Sequence, residues 1–399
     1  MSTVGDLTPP DRLLCGTGPT NPDPRVLRAL AAPVLGQFDP AFTAIMEEVM
    51  ALARQVFQTA NPRTFAVSGT GRAGMEAAIA SLVEPGDPVL VAACGRFGDL
   101  FADLAARYGA RVEQVTAEWG QVIDPQQIDD ALRVRRAKVV AVVHGETSTG
   151  VLQPHMDAIG RICRRHDALL VVDAVVTLGG VEVDVDGWQA DVCTSGTQKC
   201  LGCPSGMAPV TYNGRAEEVL ARRRTPIISN YLDLAQLQRY WSPERLNHHT
   251  LPTAMTYGLR EALRLVVEEG LPARWARHRR TGDALKAGLE AMGLRLFGDP
   301  RHRLPMITAV HVPDGVPDEA ARLRLLEEFG VEIATSFGPL RGRIWRIGTM
   351  GYNARPTTVL TVLSALEHVL RAFGVRIPPA AGVEEARRRL AGDSAQPPR

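Results

Sequence analysis

The chain has 399 residues, of which 45% are hydrophobic and 22% charged, with a formal net charge of +1. That balance is ordinary for a globular protein and leaves no electrostatic footprint for nucleic acid or for a membrane surface. No apolar run approaches the ~20 residues a bilayer-spanning helix requires, and Met1-Ser-Thr-Val-Gly-Asp6 has neither the basic nor the apolar region of a secretion signal. A cytoplasmic setting is therefore the expectation.

Residues 1–20 are rich in Pro and Gly and are expected to form an extended N-terminal arm. Helical patterning then runs from Phe42 to Phe57, with Ile45, Val49, Leu52 and Val56 spaced to make one apolar face. From about Thr64 to Gly206, short apolar runs alternate with helical ones. The predicted strands are Phe65–Val67, Pro88–Ala92, Arg111–Val115, Val139–Val143, Leu169–Val172, Asp191–Cys193 and Met207–Tyr212. This alternation predicts an α/β fold, a mostly parallel sheet between helices, in a large domain over residues 21–264.

A helix is expected from Pro252 to Glu269, with Gly270-Leu-Pro272 as its stop signal, and another over Ala273–Met292. The pattern then changes. Met306–Val312, Asp318–Phe329, Val331–Ile333, Ile344–Ile347 and Pro356–Phe373 read as β-α-β-β-α, a smaller C-terminal α/β domain over 265–391. Residues 392–399 read as a disordered tail.

One lysine stands apart. Lys199 lies in Ser195-Gly-Thr-Gln-Lys199-Cys-Leu-Gly-Cys-Pro-Ser-Gly206, a loop of small residues that has no need of a solubilising charge. An aldehyde cofactor needs such a lysine for a Schiff base, and a strand-end carboxylate to hold a pyridinium nitrogen. Asp173, directly after Leu169-Leu-Val-Val172, is placed for the second task, at the strand end where open α/β sheets bind ligands; a helix cap or solvated turn is the plainer reading. Ser68-Gly-Thr-Gly-Arg72-Ala-Gly74 follows a strand and opens a helix, so its backbone can approach a phosphate. Its spacing matches neither a dinucleotide fingerprint nor a P-loop.

Arg346 sits inside the apolar strand Ile344-Trp-Arg-Ile-Gly348. It could clamp a substrate carboxylate, answer an internal salt bridge, or lie on an exposed strand face. Six cysteines lack a regular framework, and Cys200-Leu-Gly-Cys203 has no second CxxC, so buried structural thiols are expected. His248 and His249 are adjacent; on a strand they would point to opposite faces, and no third ligand is near in sequence, so no metal is expected.

Together these residues resemble the class V aminotransferases of fold type I, in the alanine/serine–glyoxylate branch. His144-Gly-Glu-Thr-Ser-Thr-Gly150, Val172-Asp173, Ser195-Gly-Thr-Gln-Lys199 and His248-His-Thr250 match that branch's motifs in order, over essentially the whole chain from Gly16 to Phe373. Within it the chain is most similar to the ureidoglycine–glyoxylate transaminases, through Leu35-Gly-Gln37-Phe-Asp-Pro40, Gly95-Arg-Phe-Gly98, Tyr240-Trp-Ser-Pro243, Arg245-Leu-Asn247-His-His249, Ser336-Phe-Gly-Pro-Leu340 and Trp345–Asn353.

The resemblance implies pyridoxal 5'-phosphate as cofactor and a homodimer with active sites at the interface. Lys199 would form the Schiff base and carry the proton shift, and Asp173 would keep the pyridine nitrogen protonated. Phe97 would stack on the ring, Val175 would lie behind it, and Thr147 would stand near its phenolic oxygen. Thr70, Gly71, Arg72 and Gln198 would line the phosphate side, with Thr250 reaching in from the partner subunit. Arg346 would hold the α-carboxylate. Gln37 and Asn247 would recognise the ureido group, since primary amides present the complement of a urea's donors and acceptor. An alanine– or serine–glyoxylate aminotransferase using the same residues is the alternative. A lyase or desulfurase on this fold would need a mobile cysteine, and Cys200 and Cys203 lie too close to Lys199 for that.

Overall fold

A computed structural model describes residues 5–392. Seven strands make the central sheet: β1 (Arg63–Ser68), β2 (Pro88–Ala93), β3 (Arg111–Thr116), β4 (Val139–Val143), β5 (Leu169–Asp173), β6 (Val192–Thr194) and β7 (Met207–Tyr212). Their order is β1-β7-β6-β5-β4-β2-β3. Neighbouring pairs from β6 to β3 are parallel, while β7 runs antiparallel to both β1 and β6. The parallel core follows from composition: Val139-Val-Ala-Val-Val143 is buried at every position, as a strand covered by helices on both faces must be.

Helix Pro40–Phe57 covers part of that sheet with Phe42, Met46, Val49, Ala53 and Val56 buried. Ile45 and Leu52, expected on the buried face, are only half-buried, so the stripe is rotated toward Met46 and Ala53. Asp39 starts this helix, accepting from Ala41 N at 2.8 Å.

A second core lies around Leu285, Leu289, Trp345, Ile347, Val362 and Leu366. It packs helices Leu271–Ala291 and Pro356–Ala372 on a three-stranded sheet of β8 (Ile307–His311), β9 (Ala334–Thr335) and β10 (Ile344–Gly348), in the order β8-β10-β9. The expected single strand Val331–Ile333 is divided. Val331–Glu332 pairs with Leu13–Leu14 of the N-terminal arm, and only Ala334–Thr335 joins the small sheet. Extended backbone therefore ties part of the arm to the C-terminal core, where Cys15 is fully buried.

The described residues end in a helix that the sequence patterning did not reveal, Ala381–Gly392, packed on helix Leu271–Ala291. Gly392, expected in the tail, closes that helix, and residues 393–399 lie outside the described residues. Among the described residues, no helix is long and apolar enough to cross a membrane.

Candidate active site

The C-terminal ends of the parallel strands carry the site, as strand polarity requires. Asp173 is the last residue of β5 and is buried, with Val175 N donating to its Oδ1 at 2.7 Å. Burial pushes its carboxyl up to about 7; the Val175 N–H opposes the shift, and Glu146 adds to it.

Lys199 follows β6 in a tight turn. Gly202 N donates to Lys199 O at 3.0 Å, with Gly202 at a positive φ of 75° that glycine adopts without strain. Arg274 Nη2 donates to Cys200 O at 2.6 Å, and Ser195 Oγ donates to Ala174 O at 3.1 Å, so the turn is fastened to helix Leu271–Ala291 and to the residue after Asp173. The Lys199 amine is brought down to about 8, by burial first and then by the charge of Arg346. Its Nζ donates to Thr17 O, and a Cβ on Gly18 would lie 2.5 Å from Lys199 Cδ. The N-terminal arm is thus a wall of the site. Gly16-Thr-Gly-Pro19 was the available signal, since Gly18 permits this close approach.

Lys199 and Asp173 line one cavity of about 170 Å³ with Thr70, Gly71, Arg72, Phe97, Thr147, Val175 and Gln198. All nine of the residues expected to hold a cofactor from this chain are therefore brought together. Thr70 is the N-cap of helix Gly71–Leu82 but makes no side-chain cap bond, which leaves the first N–H groups of the helix open to an anion. The helix starts at Gly71, four residues before the apolar pattern at Met75. Gly74 allows this by close packing: a Cβ there would come within 3.1 Å of Ala208 Cβ.

Arg346, on β10, is buried and reaches across to the large core. Its Nη1 donates to Thr147 O at 3.0 Å, its Nε to Thr335 O at 2.8 Å, and its guanidinium lies 4.7 Å from the Phe337 ring. No carboxylate lies within ion-pair distance among the described residues, and burial brings its pKa down to about 10. The salt-bridge and exposed-face alternatives are thereby removed. Phe337 also meets Phe97 edge-on at 6.4 Å, a neighbour the sequence did not single out.

Gln37, Asn247 and Thr250 do not line this cavity. Gln37 Nε2 donates to Asn247 Oδ1 at 3.1 Å, and Thr250 is exposed. His248 and His249 do not point to opposite faces, because they lie in a loop: their Nδ1 atoms are 2.8 Å apart, and His249 Nε2 is 2.6 Å from Ser68 Oγ. Among the described residues, no group of three His, Cys, Asp or Glu is placed to hold a metal. Cys200 and Cys203 are buried, and burial pushes both thiols up to about 12.

Residues 27–340 match the sequence model of the class-V aminotransferases. The chain is 52% identical to the (S)-ureidoglycine–glyoxylate transaminase of Bacillus subtilis over 388 residues, 93% of each chain. The crystal structure of ureidoglycine-glyoxylate aminotransferase from Bacillus subtilis superposes with a TM-score of 0.96, covering 97% of this chain and 100% of that one. An alanine–glyoxylate aminotransferase from Nostoc superposes with a TM-score of 0.91 at 46% identity, covering 93% and 98%. A lysine on a tight turn, a buried strand-end acid and an open helix N-terminus around one cavity agree with these likenesses, and the chain belongs to the class-V aminotransferase family.

Proposed function

We propose that this aminotransferase uses pyridoxal phosphate to move the amino group of (S)-ureidoglycine to glyoxylate, giving oxalurate and glycine. The observation that carries the donor is the Gln37–Asn247 pair, two amides hydrogen-bonded at 3.1 Å in a chain 52% identical to a ureidoglycine–glyoxylate transaminase.

The cavity suits the cofactor's chemistry. Gln198 Oε1 is buried with no hydrogen-bond partner among the described residues. Thr70 and the helix start at Gly71 offer N–H and hydroxyl donors to a phosphate. A Cβ on Gly71 would meet Val175 Cγ2 at 2.8 Å, so the helix start and Val175 sit together with no side chain between them. Bound there, pyridoxal phosphate supplies the carbonyl carbon that accepts the amino group and the ring that takes up the electron pair released at the donor's α-carbon.

The chain's own residues do the rest. Lys199 Nζ, with its pKa brought down to about 8, has a neutral fraction near neutrality, so it can take the α-proton and return it. Asp173, whose charge burial disfavours, gains its missing counter-charge from a protonated ring nitrogen. Phe97 and Val175 bound the cavity and exclude water. Arg346, with no carboxylate within ion-pair distance among the described residues, offers its charge to the α-carboxylate of the donor and then of glyoxylate.

The amides act on a second copy. Val34, Phe38, Tyr231 and Leu246 are exposed beside Gln37 and Asn247, an apolar surface that a partner subunit would cover. In the homodimer we propose, Gln37, Asn247 and Thr250 complete the partner's cavity, while the small domain from 265 onward carries Arg346 to Thr147 at the cavity of its own chain. The setting we propose is the cytoplasm. Alanine or serine as donor is the second reading, favoured by the 46% identity to the Nostoc alanine–glyoxylate enzyme.

The test is spectral. Mixed singly with ureidoglycine, alanine and serine, the holoenzyme should lose its visible absorbance fastest with ureidoglycine, and Lys199→Ala should lack that absorbance from the start. Faster conversion by alanine or serine would hand the donor to the second reading, and an unaltered Lys199→Ala spectrum would remove the cofactor assignment.

A further inference from the structure

Helix Arg96–Arg107 begins with three backbone N–H groups that no carbonyl of its own helix can satisfy. Its N-cap, Gly95, has no side chain to help. All three donors are met from a distant segment instead. Arg96 N donates to Ser148 Oγ at 3.0 Å, and Phe97 N and Gly98 N donate to Glu146 Oε2 at 3.0 and 3.3 Å. Glu146 Oε1 accepts from Ser148 N at 3.0 Å and from Ser148 Oγ at 2.5 Å.

The arrangement interlocks. A Cβ on Gly95 would lie 2.5 Å from Glu146 Cγ and 2.6 Å from Ser148 Oγ, so only glycine fits beneath the carboxylate. Glu146 belongs to the short strand Gly145–Glu146, paired with Val151–Leu152, and is 1% exposed. Its two oxygens meet four donors and no acceptor, the pattern of an ionised carboxylate. Burial raises its pKa while those hydrogen bonds oppose the rise.

The residues this cap fixes are walls of the Lys199 cavity. Phe97 lies at the capped helix start and Thr147 lies between Glu146 and Ser148; both line the cavity, and Thr147 O accepts from Arg346. We infer that Glu146 is a positioning residue for the transamination site: through the Phe97 and Gly98 N–H groups on one side and Ser148 on the other, it sets how Phe97 and Thr147 face the cofactor ring. The inference rests on the pyridoxal-phosphate reading of the cavity.

Glu146→Gln separates this role from a purely structural cap. The substitution keeps the shape, but whichever way the amide turns, its NH2 confronts a backbone N–H that cannot reverse. In the holoenzyme we expect the visible circular dichroism of the bound cofactor, which reports a fixed ring orientation, to fall markedly. Cofactor affinity should weaken about tenfold, the equivalent of one charged hydrogen bond. Ser148→Ala, which loses the Arg96 cap and one donor to Oε1, should show both effects in smaller measure and keeps the test alive if Glu146→Gln does not fold. If the soluble variants melt earlier without cofactor yet match wild type in dichroism and affinity, Glu146 caps a helix and nothing more, and the inference is overturned. A wild-type protein without a Lys199-dependent absorbance would overturn the cofactor reading itself, an outcome visible before any Glu146 variant is compared.

Discussion

Gln37 Nε2 donates to Asn247 Oδ1 at 3.1 Å although 210 positions of chain separate the two residues. Each amide braces the other, which leaves Asn247 Nδ2 as a donor and the second lone pair of Gln37 Oε1, which already accepts from Tyr240 Oη at 3.5 Å, as an acceptor. A ureido group needs one of each. Asn247→Tyr should therefore depress kcat/KM for ureidoglycine by about 10²-fold or more, because a site built for polar groups loses most when its partner goes. Turnover of alanine, which has no ureido group, should stay near wild type. Steady-state rates with both donors decide it; equal losses would show that Asn247 does not read the donor.

Whether the amides serve their own cavity or a partner's can be read by mixing. Lys199→Ala lacks the amine, and Asn247→Tyr lacks the amide. If Asn247 completes the partner's cavity, reassorted dimers of the two variants contain one site with an intact Lys199 and an intact Asn247. Ureidoglycine activity should return in the mixture. Continued inactivity in dimers shown to have exchanged would place Asn247 with its own Lys199.

Asp173 gives the cofactor-free protein a particular pH dependence. Its pKa is about 7 in the fold against an ordinary 3.8, because burial disfavours the charge. Between these values the folded chain holds a proton that the unfolded chain has released, so this residue makes stability fall as pH rises through that window. Lys199 acts elsewhere: its pKa, lowered to about 8 from 10.5, makes stability rise with pH between those two values and contributes no slope below them. Asp173→Asn should remove the first slope. Denaturation midpoints of wild type and variant, compared at about pH 4.5 and about pH 7, should diverge in the variant's favour as pH rises; a constant gap would contradict the raised pKa.

Among the described residues no carboxylate lies within ion-pair distance of Arg346, Glu146 acting on it only at longer range, while Thr147 O and Thr335 O hold its fork in place. Lysine cannot reproduce two divergent N–H contacts and a face laid on Phe337. Arg346→Lys should raise KM about 10²-fold for amino donor and for glyoxylate alike, measured by varying each substrate in turn. An unchanged KM for both would move the carboxylate clamp to another residue.

Some of this architecture is written locally. Val139-Val-Ala-Val-Val143 can only be a strand buried on both faces, and Leu169-Leu-Val-Val-Asp173 places an acid where such a strand ends. Other features depend on partners remote in sequence. Helix Gly71–Leu82 begins inside a glycine run because Gly74 meets Ala208, and helix Arg96–Arg107 begins at a glycine because Glu146 supplies the cap. Val331–Glu332 leaves the small sheet because Leu13–Leu14 competes for its edge.

By itself the sequence determined the alternation of strands and helices, a lysine in a loop of small residues at Lys199, an acid at the strand end at Asp173, and a glycine run at the start of a helix, because these follow from residue type and near-neighbour spacing. Only the tertiary structure decided that Thr17 and Gly18 close over Lys199, that Arg346 is buried with no carboxylate within ion-pair distance among the described residues, and that Gln37 and Asn247 stand together outside their own chain's cavity. The physical reason is the same in each case: burial and hydrogen bonding depend on distances in space, and those join segments that the order of residues keeps apart.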